Sequence, residues 1–250
     1  MTTTSGFVLA GGAALVAGAV NAIAGGGSLI TFPALVAAGL PPVIANVTNT
    51  VAMCPGYFGA FLAQRRDLTG QRARLIMIFP TGLVGGLLGA LLLLYTGAAA
   101  FKLIVPYLIL FAAALLALQG KLRAWMVRGD AAPRSEAWSI IPVGLTAIYG
   151  GYFGAGMGVM ALAALAVILS DTLTRLNALK QAIALSSNLA AATFFACSGR
   201  VNWPLADVMF VAALVGGALG GLLASRIPAG VLRWTMVVLA VIVGVIYLVK

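Results

Sequence analysis

The sequence contains no histidine, and only 5 of its 250 residues are acidic. Without an imidazole the chain lacks the most common general base and a frequent ligand of zinc and haem iron. Serine–histidine intramembrane proteases and HExxH zinc peptidases are therefore excluded. Because no pair of carboxylates lies within an apolar segment, we expect the protein not to be an enzyme.

Cysteine is also scarce, and the two copies are Cys54 and Cys197. Both lie in apolar segments and they have no CxxC spacing, so neither a metal site nor a redox pair is indicated. We interpret both as packing thiols, and we expect no metal and no cofactor.

Charged residues make up 8% of the chain and hydrophobic residues 62%, whereas an ordinary globular chain is about 25% charged. Residues 1–64 contain no charged side chain. As one helix they would be about 96 Å long, against a hydrocarbon core of about 30 Å. The composition therefore predicts an all-α polytopic membrane protein, surrounded by a lipid bilayer, that crosses it three times in this stretch.

Breaks at charges, prolines and glycines divide the chain into ten apolar segments. Six of them are long enough to span a bilayer comfortably. The other four, which are the first two of each half, are short and interrupted by glycine. The ten segments are 7–23, 28–38, 43–63, 75–95, 101–119, 138–153, 157–169, 177–197, 206–225 and 231–249.

The net charge is +10, but the basic residues lie at the ends of apolar segments and not in a stripe with interleaved aromatics. Nucleic acid is therefore not an expected partner. Because Lys and Arg collect in cytoplasmic loops, the clusters at 65–74, 120–137 and 226–233 predict three cytoplasmic loops. The charge-poor loops at 96–100 and 198–205 are expected outside.

Two glycine signatures recur at one spacing, since the interval from Gly25 to Gly156 equals the interval from Gly85 to Gly216. This recurrence predicts an internal duplication. The expected units are a first membrane repeat at 7–119, a cytoplasmic linker at 120–137 and a second membrane repeat at 138–249. The loop after the third segment is inside in the first unit and outside in the second. The repeats therefore have inverted topology, whether their short segments cross fully or fold back as hairpins.

Inverted repeats of about five helical segments, with short glycine-broken pieces, are typical of secondary transporters whose site lies near the midplane. Helix N-termini that follow the glycine clusters would direct N–H groups inward, which favours an anion. The clusters are Gly25, Gly26 and Gly27, and Gly156 with Gly158. Alternatively, these glycines only permit close helix packing, which is our interpretation of the later glycines at 82–89 and 216–221.

Polar residues within apolar segments are costly and mark candidate site residues. They are Asn21, Thr48, Asn49, Lys180, Gln181 and Asn188. Lys180 would contact a substrate anion or, alternatively, extend to the interface from a helix start. Asn21 would face the same space or hydrogen-bond a neighbouring helix. The register between the two third segments stays open, with Asn49 opposite either Gln181 or Ala182.

The runs NAIAGGG at 21–27, GLPP at 39–42 and ANVTN at 45–49, together with Pro33, resemble the sulfite exporter TauE/SafE family. The second half has matching elements in order: GYFGAGMG at 151–158, LNALKQ at 176–181, Asn188 and GRVNW at 199–203. The resemblance covers residues 7–249. Gln181 departs from the family pattern, in which Asn is common.

The resemblance implies a multi-pass permease of the bacterial inner membrane that moves a small sulfur-containing anion, such as sulfite or an organosulfonate. We expect transport by alternating access, with the anion between the glycine clusters. A passive anion channel and a membrane accessory protein without transport are the alternatives. The oligomeric state stays open, and a homo-oligomer is compatible with the sequence.

Overall fold

The computed structural model describes residues 4–23, 26–128, 136–169, 171–223 and 229–249. Within these ranges the chain forms nine α-helices and two short 3₁₀ turns, Arg65–Leu68 and Glu136–Ser139, and no β-strand. The helices are α1 (Thr4–Ile23), α2 (Ser28–Ala37), α3 (Pro42–Ala63), α4 (Arg72–Arg128), α5 (Ile140–Tyr152), α6 (Met157–Ile168), α7 (Leu173–Cys197), α8 (Trp203–Leu223) and α9 (Ala229–Val249).

The all-α class expected from the composition is confirmed, with three differences in the helix boundaries. The expectation that the first segment is short is wrong, because α1 begins at Thr4 and is 20 residues long. α7 begins at Leu173, earlier than expected, since the Thr172 hydroxyl accepts a hydrogen bond from the Arg175 N–H and caps the helix. α4 continues to Arg128, so the first part of the expected linker is helical, while residues 129–135 lie outside the described ranges.

α4 is a helical hairpin broken at Gly97, whose φ of 76° and ψ of 162° are not helical. The arm before the break reaches Tyr152, because a Cβ at Gly89 would lie 2.7 Å from the Tyr152 backbone nitrogen. The arm after the break returns to the same residue, where the rings of Phe101 and Tyr152 are 5.7 Å apart. The chain therefore reverses direction at Gly97, a position where the positive φ favours glycine.

Among the described residues, two helices are long and apolar enough to cross a membrane. They contain the stretches Thr4–Asn21, with a mean hydropathy of 1.4, and Arg72–Lys121, with a mean hydropathy of 2.3 and 50 residues. Large apolar side chains point outward from them, and Val8 and Leu103 are both 71% exposed. An outer surface of this kind is suited to lipid contact.

α3 and α7 pack against each other in antiparallel orientation. Near the C-terminus of α3, Asn177 Nδ2 donates a hydrogen bond to Gln64 Oε1 at 2.6 Å. Near the N-terminus of α3, Thr48 Oγ1 accepts a hydrogen bond at 3.0 Å from the N–H of Asn202, which lies in the loop between α7 and α8. We call the first the arginine end and the second the Trp203 end. The arginines at the arginine end include Arg65, Arg66, Arg72, Arg74 and Arg175.

Glycines bring α1 and α8 into close contact. A Cβ at Gly11 would lie 3.2 Å from Val208 Cγ1, and one at Gly18 would lie 2.9 Å from the Gly217 nitrogen. Residue numbers rise together along this contact, so the helices are parallel. Small residues that allow such an approach are the usual solution for helices in lipid.

The first arm of α4 packs on α5 in the same way. A Cβ at Gly85 would lie 2.9 Å from the Gly144 carbonyl oxygen, and the Cβ at Gly89 would reach the last turn of α5. These two helices are also parallel. The packing role expected of the glycines at 82–89 and 216–221 is confirmed for Gly82, Gly85, Gly86, Gly89 and Gly216.

Asp171 links two helices at the arginine end. Its carboxylate accepts hydrogen bonds from Arg74 and from Arg175 Nε, the latter at 3.0 Å, and its side chain is 14% exposed. Burial by itself raises the pKa of Asp171, but the hydrogen bonds from Arg74 and Arg175 outweigh it and hold the pKa below its usual value. The ion pairs join the start of α4 to the start of α7.

Gly18→Ala is expected to destabilise the protein, because the added Cβ would collide with the Ala213 carbonyl oxygen. Overpacking of this kind costs about 1–3 kcal/mol. Gly12→Ala is the matched control in the same helix, since a Cβ at Gly12 has no atom within 4 Å. Thermal unfolding in detergent measures both, and equal melting temperatures for the two variants would contradict the close α1–α8 contact.

Asp171→Asn is expected to lower stability by about 1–2 kcal/mol, because hydrogen bonds to charged groups contribute about 1.5–3 kcal/mol before solvent screening. The folded pKa is lowered, so this stabilisation is complete above the ordinary Asp pKa of about 3.9 and is lost as the pH falls through the folded value. Melting curves of both proteins between neutral and acidic pH check this. A difference that does not shrink at low pH would exclude an ionised Asp171 as its source.

Candidate functional site

A cavity of about 400 Å³ lies between the helices at the arginine end. The C-terminal half of α3 and the N-terminal half of α7 form its walls, together with the end of α4 and the start of α9. The first residues of α2 and α6 also line it. Its polar side chains are Asn21, Ser28, Tyr57, Gln64, Gln119, Asn177, Lys180, Gln181 and Arg233.

The cavity is electropositive. Of the described lining residues, Lys180 and Arg233 are cationic and none is acidic. Carboxamides supply most of the remaining polarity, and each can donate two hydrogen bonds or accept them. The arrangement provides positive charge and hydrogen-bond donors for an anion, without a carboxylate to repel it.

Arg233 lies in the second turn of α9 and is partly buried. Its Nε is buried and makes no hydrogen bond to any described residue. Gly120, in the last part of α4, makes room for the guanidinium, because a Cβ there would lie 2.9 Å from Nη1. A guanidinium with an unused donor at a cavity wall can bind an oxyanion.

Both short helices begin at the cavity. Gly156 is the N-cap of α6, with a φ of 76°, and Gly26 precedes α2 with a φ of 94°. The Gly27 N–H donates to Asn21 Oδ1 at 2.8 Å, so Asn21 fixes the turn between α1 and α2. The positive ends of the two helix dipoles therefore lie at the cavity, which adds to its preference for negative charge.

Lys180 lies in the second to third turn of α7 and crosses the start of α6. A Cβ at Gly158 would lie 3.6 Å from Lys180 Cδ, so the aliphatic part of the lysine passes over this glycine. The residue is partly buried and borders the cavity. Its position two turns from the helix start is compatible with contact to a bound anion.

The structure brings six of the eleven candidate residues to the cavity: Asn21, Gly26, Gly156, Gly158, Lys180 and Gln181. Gly27 does not line the cavity, and its N–H donates a hydrogen bond to the cavity residue Asn21. Gly25 lies outside the described residues. Thr48, Asn49 and Asn188 do not line the cavity and are buried elsewhere along α3 and α7. Their absence from it has a geometric reason: they lie on the Trp203 side of the antiparallel pair.

Three asparagines on that side have an unsatisfied carbonyl. Asn46, Asn49 and Asn188 are 1%, 3% and 7% exposed, and the Oδ1 of each is buried without a hydrogen bond from any described residue. Asn46 Nδ2 donates to the Tyr152 carbonyl oxygen at 2.8 Å. A buried acceptor without a donor costs about 1–3 kcal/mol, so their presence calls for an explanation beyond packing.

The Trp203 side is closed by aromatic rings. Phe32 of α2 meets Phe153 edge-on at 5.4 Å, and Phe101 packs on both Phe153 and Tyr152. Phe32, Phe101 and Phe153 are each no more than 3% exposed. This cluster lies directly beyond Gly154, which lines the cavity. The polar cavity therefore ends at a packed apolar layer.

Sequence reasoning missed several cavity residues. Arg233 belongs to a basic cluster that the sequence marks only as a cytoplasmic loop, and Gln64 is the last residue of the uncharged stretch at 1–64. Tyr57 and Gln119 give no signal of their own, because tyrosine is common within apolar segments and glutamine is common at their ends. The available signal was periodicity, since Gly56, Tyr57, Ala60 and Gln64 recur at helical spacing and all line the cavity.

Comparison with known proteins identifies the family. Residues 10–247 match the family described as "Sulfite exporter TauE/SafE". The "Probable membrane transporter protein YfcA" of Escherichia coli strain K12 is 29% identical over 237 residues, which cover 92% of this chain and 85% of the relative.

Two further relatives agree. A "Probable membrane transporter protein" of Haemophilus influenzae is 32% identical over 210 residues, covering 82% of this chain and 80% of the relative. The "Probable membrane transporter protein ORF9" of Sinorhizobium sp is 26% identical over 234 residues, covering 93% and 88%. No solved structure gives a significant match. The match over nearly the whole chain, together with its helical apolar architecture, shows that this membrane protein belongs to the sulfite exporter TauE/SafE family of membrane transporters.

Proposed function

We propose that the protein is a secondary transporter that moves a small sulfur-containing anion, such as sulfite or an organosulfonate, across the bacterial inner membrane by alternating access. The observation that carries this proposal is the cavity in which Lys180 and Arg233 lie among carboxamides and two helix starts, with no acidic residue among its described lining. Fixed positive charge and oriented donors favour a sulfonate or sulfite oxyanion.

The proposal includes two inverted repeats, at 7–119 and 138–249. The helix starts recur at the interval that relates the glycine signatures, since Leu173 of α7 follows Pro42 of α3, and Trp203 of α8 follows Arg72 of α4, by that same interval. The equivalent helices α3 and α7 run antiparallel, as inverted repeats require. The parallel pair of α1 with α8 has its counterpart in the pair of α5 with the first arm of α4.

In the proposed orientation the arginine end faces the cytoplasm, because positive charge collects there. The pair α1–α2 begins and ends on the Trp203 side, and the pair α5–α6 begins and ends on the arginine side. The remaining helices cross the membrane, which gives a multi-pass protein. The cavity at the arginine end then belongs to an inward-facing conformation. The aromatic layer of Phe32, Phe101 and Phe153 separates it from the other side.

Candidate substrate contacts are the cavity residues together with those that alternating access would expose. Lys180, Gln181 and Asn21 would contact the anion in the inward-facing state, with the helix starts after Gly25–Gly27 and at Gly156–Gly158. Thr48, Asn49 and Asn188 would belong to the opposite state. A passive channel is less well supported, because a continuous aqueous path would have to pass the packed aromatic rings.

One transport prediction concerns the substrate and the kind of transport. Purified protein in proteoliposomes is expected to take up radiolabelled sulfite with saturation, because each turnover requires the anion to occupy a limited number of sites. Unlabelled sulfoacetate, thiosulfate, sulfate and taurine serve as competitors. Taurine carries an ammonium group, so it is expected to be the weakest competitor of sulfite for a cationic site. Uptake that is linear in concentration and indifferent to all competitors would contradict a sulfur-anion carrier.

Another transport prediction concerns the cationic side chains of the cavity. Lys180→Ala is expected to reduce transport efficiency about 10- to 100-fold, because a hydrogen bond to a charged group contributes about 1.5–3 kcal/mol. Lys180→Arg should retain more activity than Lys180→Ala. Lys121→Ala is the matched control, since Lys121 is exposed and does not line the cavity. Equal kinetics for Lys180→Ala and Lys121→Ala, at equal folded yield, would remove Lys180 from the site.

A further inference from the structure

The unsatisfied asparagines Asn46, Asn49 and Asn188 have related positions in the chain. When the starts of α3 and α7 are aligned, Pro42 with Leu173, Asn46 corresponds to Asn177, and Asn49 corresponds to Lys180. The same alignment makes Asn188 the counterpart of Tyr57. This register differs from both alternatives that the sequence left open for Asn49.

All three counterparts line the cavity at the arginine end, namely Asn177, Lys180 and Tyr57. The three asparagines are instead buried, and the Oδ1 of each lacks a donor among the described residues. Polar side chains at matching positions of the two repeats therefore line a cavity toward the arginine end and are enclosed toward the Trp203 end.

The enclosure has an identifiable cause. At the interval that relates α3 to α7, the counterpart of Phe32 is Ala163. An alanine cannot form the ring contact that Phe32 makes with Phe153 on the Trp203 side. On that side Thr48 also accepts a hydrogen bond from the Asn202 N–H, which ties α3 to the loop before α8.

We infer that Asn46, Asn49 and Asn188 line a second anion-binding cavity, closed in this structure, which opens toward the Trp203 end when the cavity at the arginine end closes. This inference rests on the proposed function and specifies the outward-facing half of its site. A carboxamide can turn its N–H₂ group toward an oxyanion, so the three residues suit the same ligand class.

The second cavity differs from the first in charge. Asn49 occupies the position of Lys180, so a neutral carboxamide replaces one of the two cavity cations, whereas the counterpart of Arg233 is the cation Lys102. The apparent affinity for the anion is therefore expected to be weaker from the Trp203 end than from the arginine end. This difference between the two sides follows from the register and not from the family.

Thiol labelling tests the inference directly. The background carries Cys54→Ala and Cys197→Ala, and Asn49→Cys or Asn188→Cys is added to it. A membrane-impermeant maleimide is applied to right-side-out and to inside-out vesicles. The reference is a separate protein that carries Cys54→Ala and retains native Cys197, which is exposed at the end of α7. The vesicle orientation in which Cys197 reacts identifies the side of the membrane on which the Trp203 end lies.

The new cysteines are expected to react from the Trp203 end at about a tenth to a hundredth of the Cys197 rate, as for a conformation populated at a few per cent. Ala45→Cys is the matched buried control, because Ala45 is 0% exposed and its counterpart Leu176 does not line the cavity. Asn177→Cys should react from the arginine end.

Phe32→Ala is expected to raise the rates at Asn49→Cys and Asn188→Cys several-fold while leaving Ala45→Cys unchanged, because it weakens the closing aromatic layer. Phe111→Ala, which removes a ring packed on Tyr149 outside this layer, should raise neither. Folding of each variant is checked by its melting temperature and its elution as a single species in detergent, and one of the two asparagine variants is sufficient for the test.

The inference is overturned if both asparagine cysteines react from the Trp203 end no faster than Ala45→Cys, with or without Phe32→Ala. Failure of the proposed function is separately visible, because the wild-type protein would then take up no anion. Normal wild-type uptake with unreactive asparagine cysteines would leave the transporter assignment intact and remove only the second cavity.

Discussion

The antiparallel contact between α3 and α7 is the constraint on which the rest of the structure depends. These helices carry most of the polar side chains within the apolar part of the chain, and in lipid such groups must be paired or must line a cavity. Asn177 with Gln64 and Asn202 with Thr48 fix the two ends of the contact. Between these points, the polar residues are divided between a cavity at one end and a packed interior at the other.

The two ends of the molecule are stabilised by different interactions. The arginine end is held by ion pairs through Asp171, which are accessible to solvent, whereas the Trp203 side is closed by aromatic packing around Phe153. Phenylalanine rings carry no net charge, so their contacts can separate and re-form without leaving charges unpaired. The glycine contacts of α1 with α8 and of α4 with α5 bring helix backbones close together, which favours rigid packing. This arrangement suits a rigid frame around a central pair of helices that changes its exposure.

Much of the fold followed from composition and spacing, because apolar segments and glycine signatures report directly on helix length and repetition. The site followed only in part. Lys180, Gln181 and Asn21 were identified because polar residues in apolar segments are unusual, but Arg233 was not, because a charge at a segment end satisfies the topology rule equally well. The start of α7 was placed too late for a related reason: Thr172, Arg175 and Asn177 are polar, and an apolar pattern does not include a polar first turn. That start sets the register of Asn49 against Lys180, and the interval between the glycine signatures gives the same register.

The central claim is that the protein carries an anion across the membrane by way of the electropositive cavity while access alternates between the two sides. The measurement that tests it most directly is counterflow of radiolabelled sulfite into proteoliposomes preloaded with a high concentration of unlabelled sulfite. The account predicts a transient accumulation of label above its equilibrium level, because a carrier that returns loaded exchanges one anion for another. Label that rises only to equilibrium, at a rate unaffected by the preload, would contradict alternating access and indicate a passive pathway.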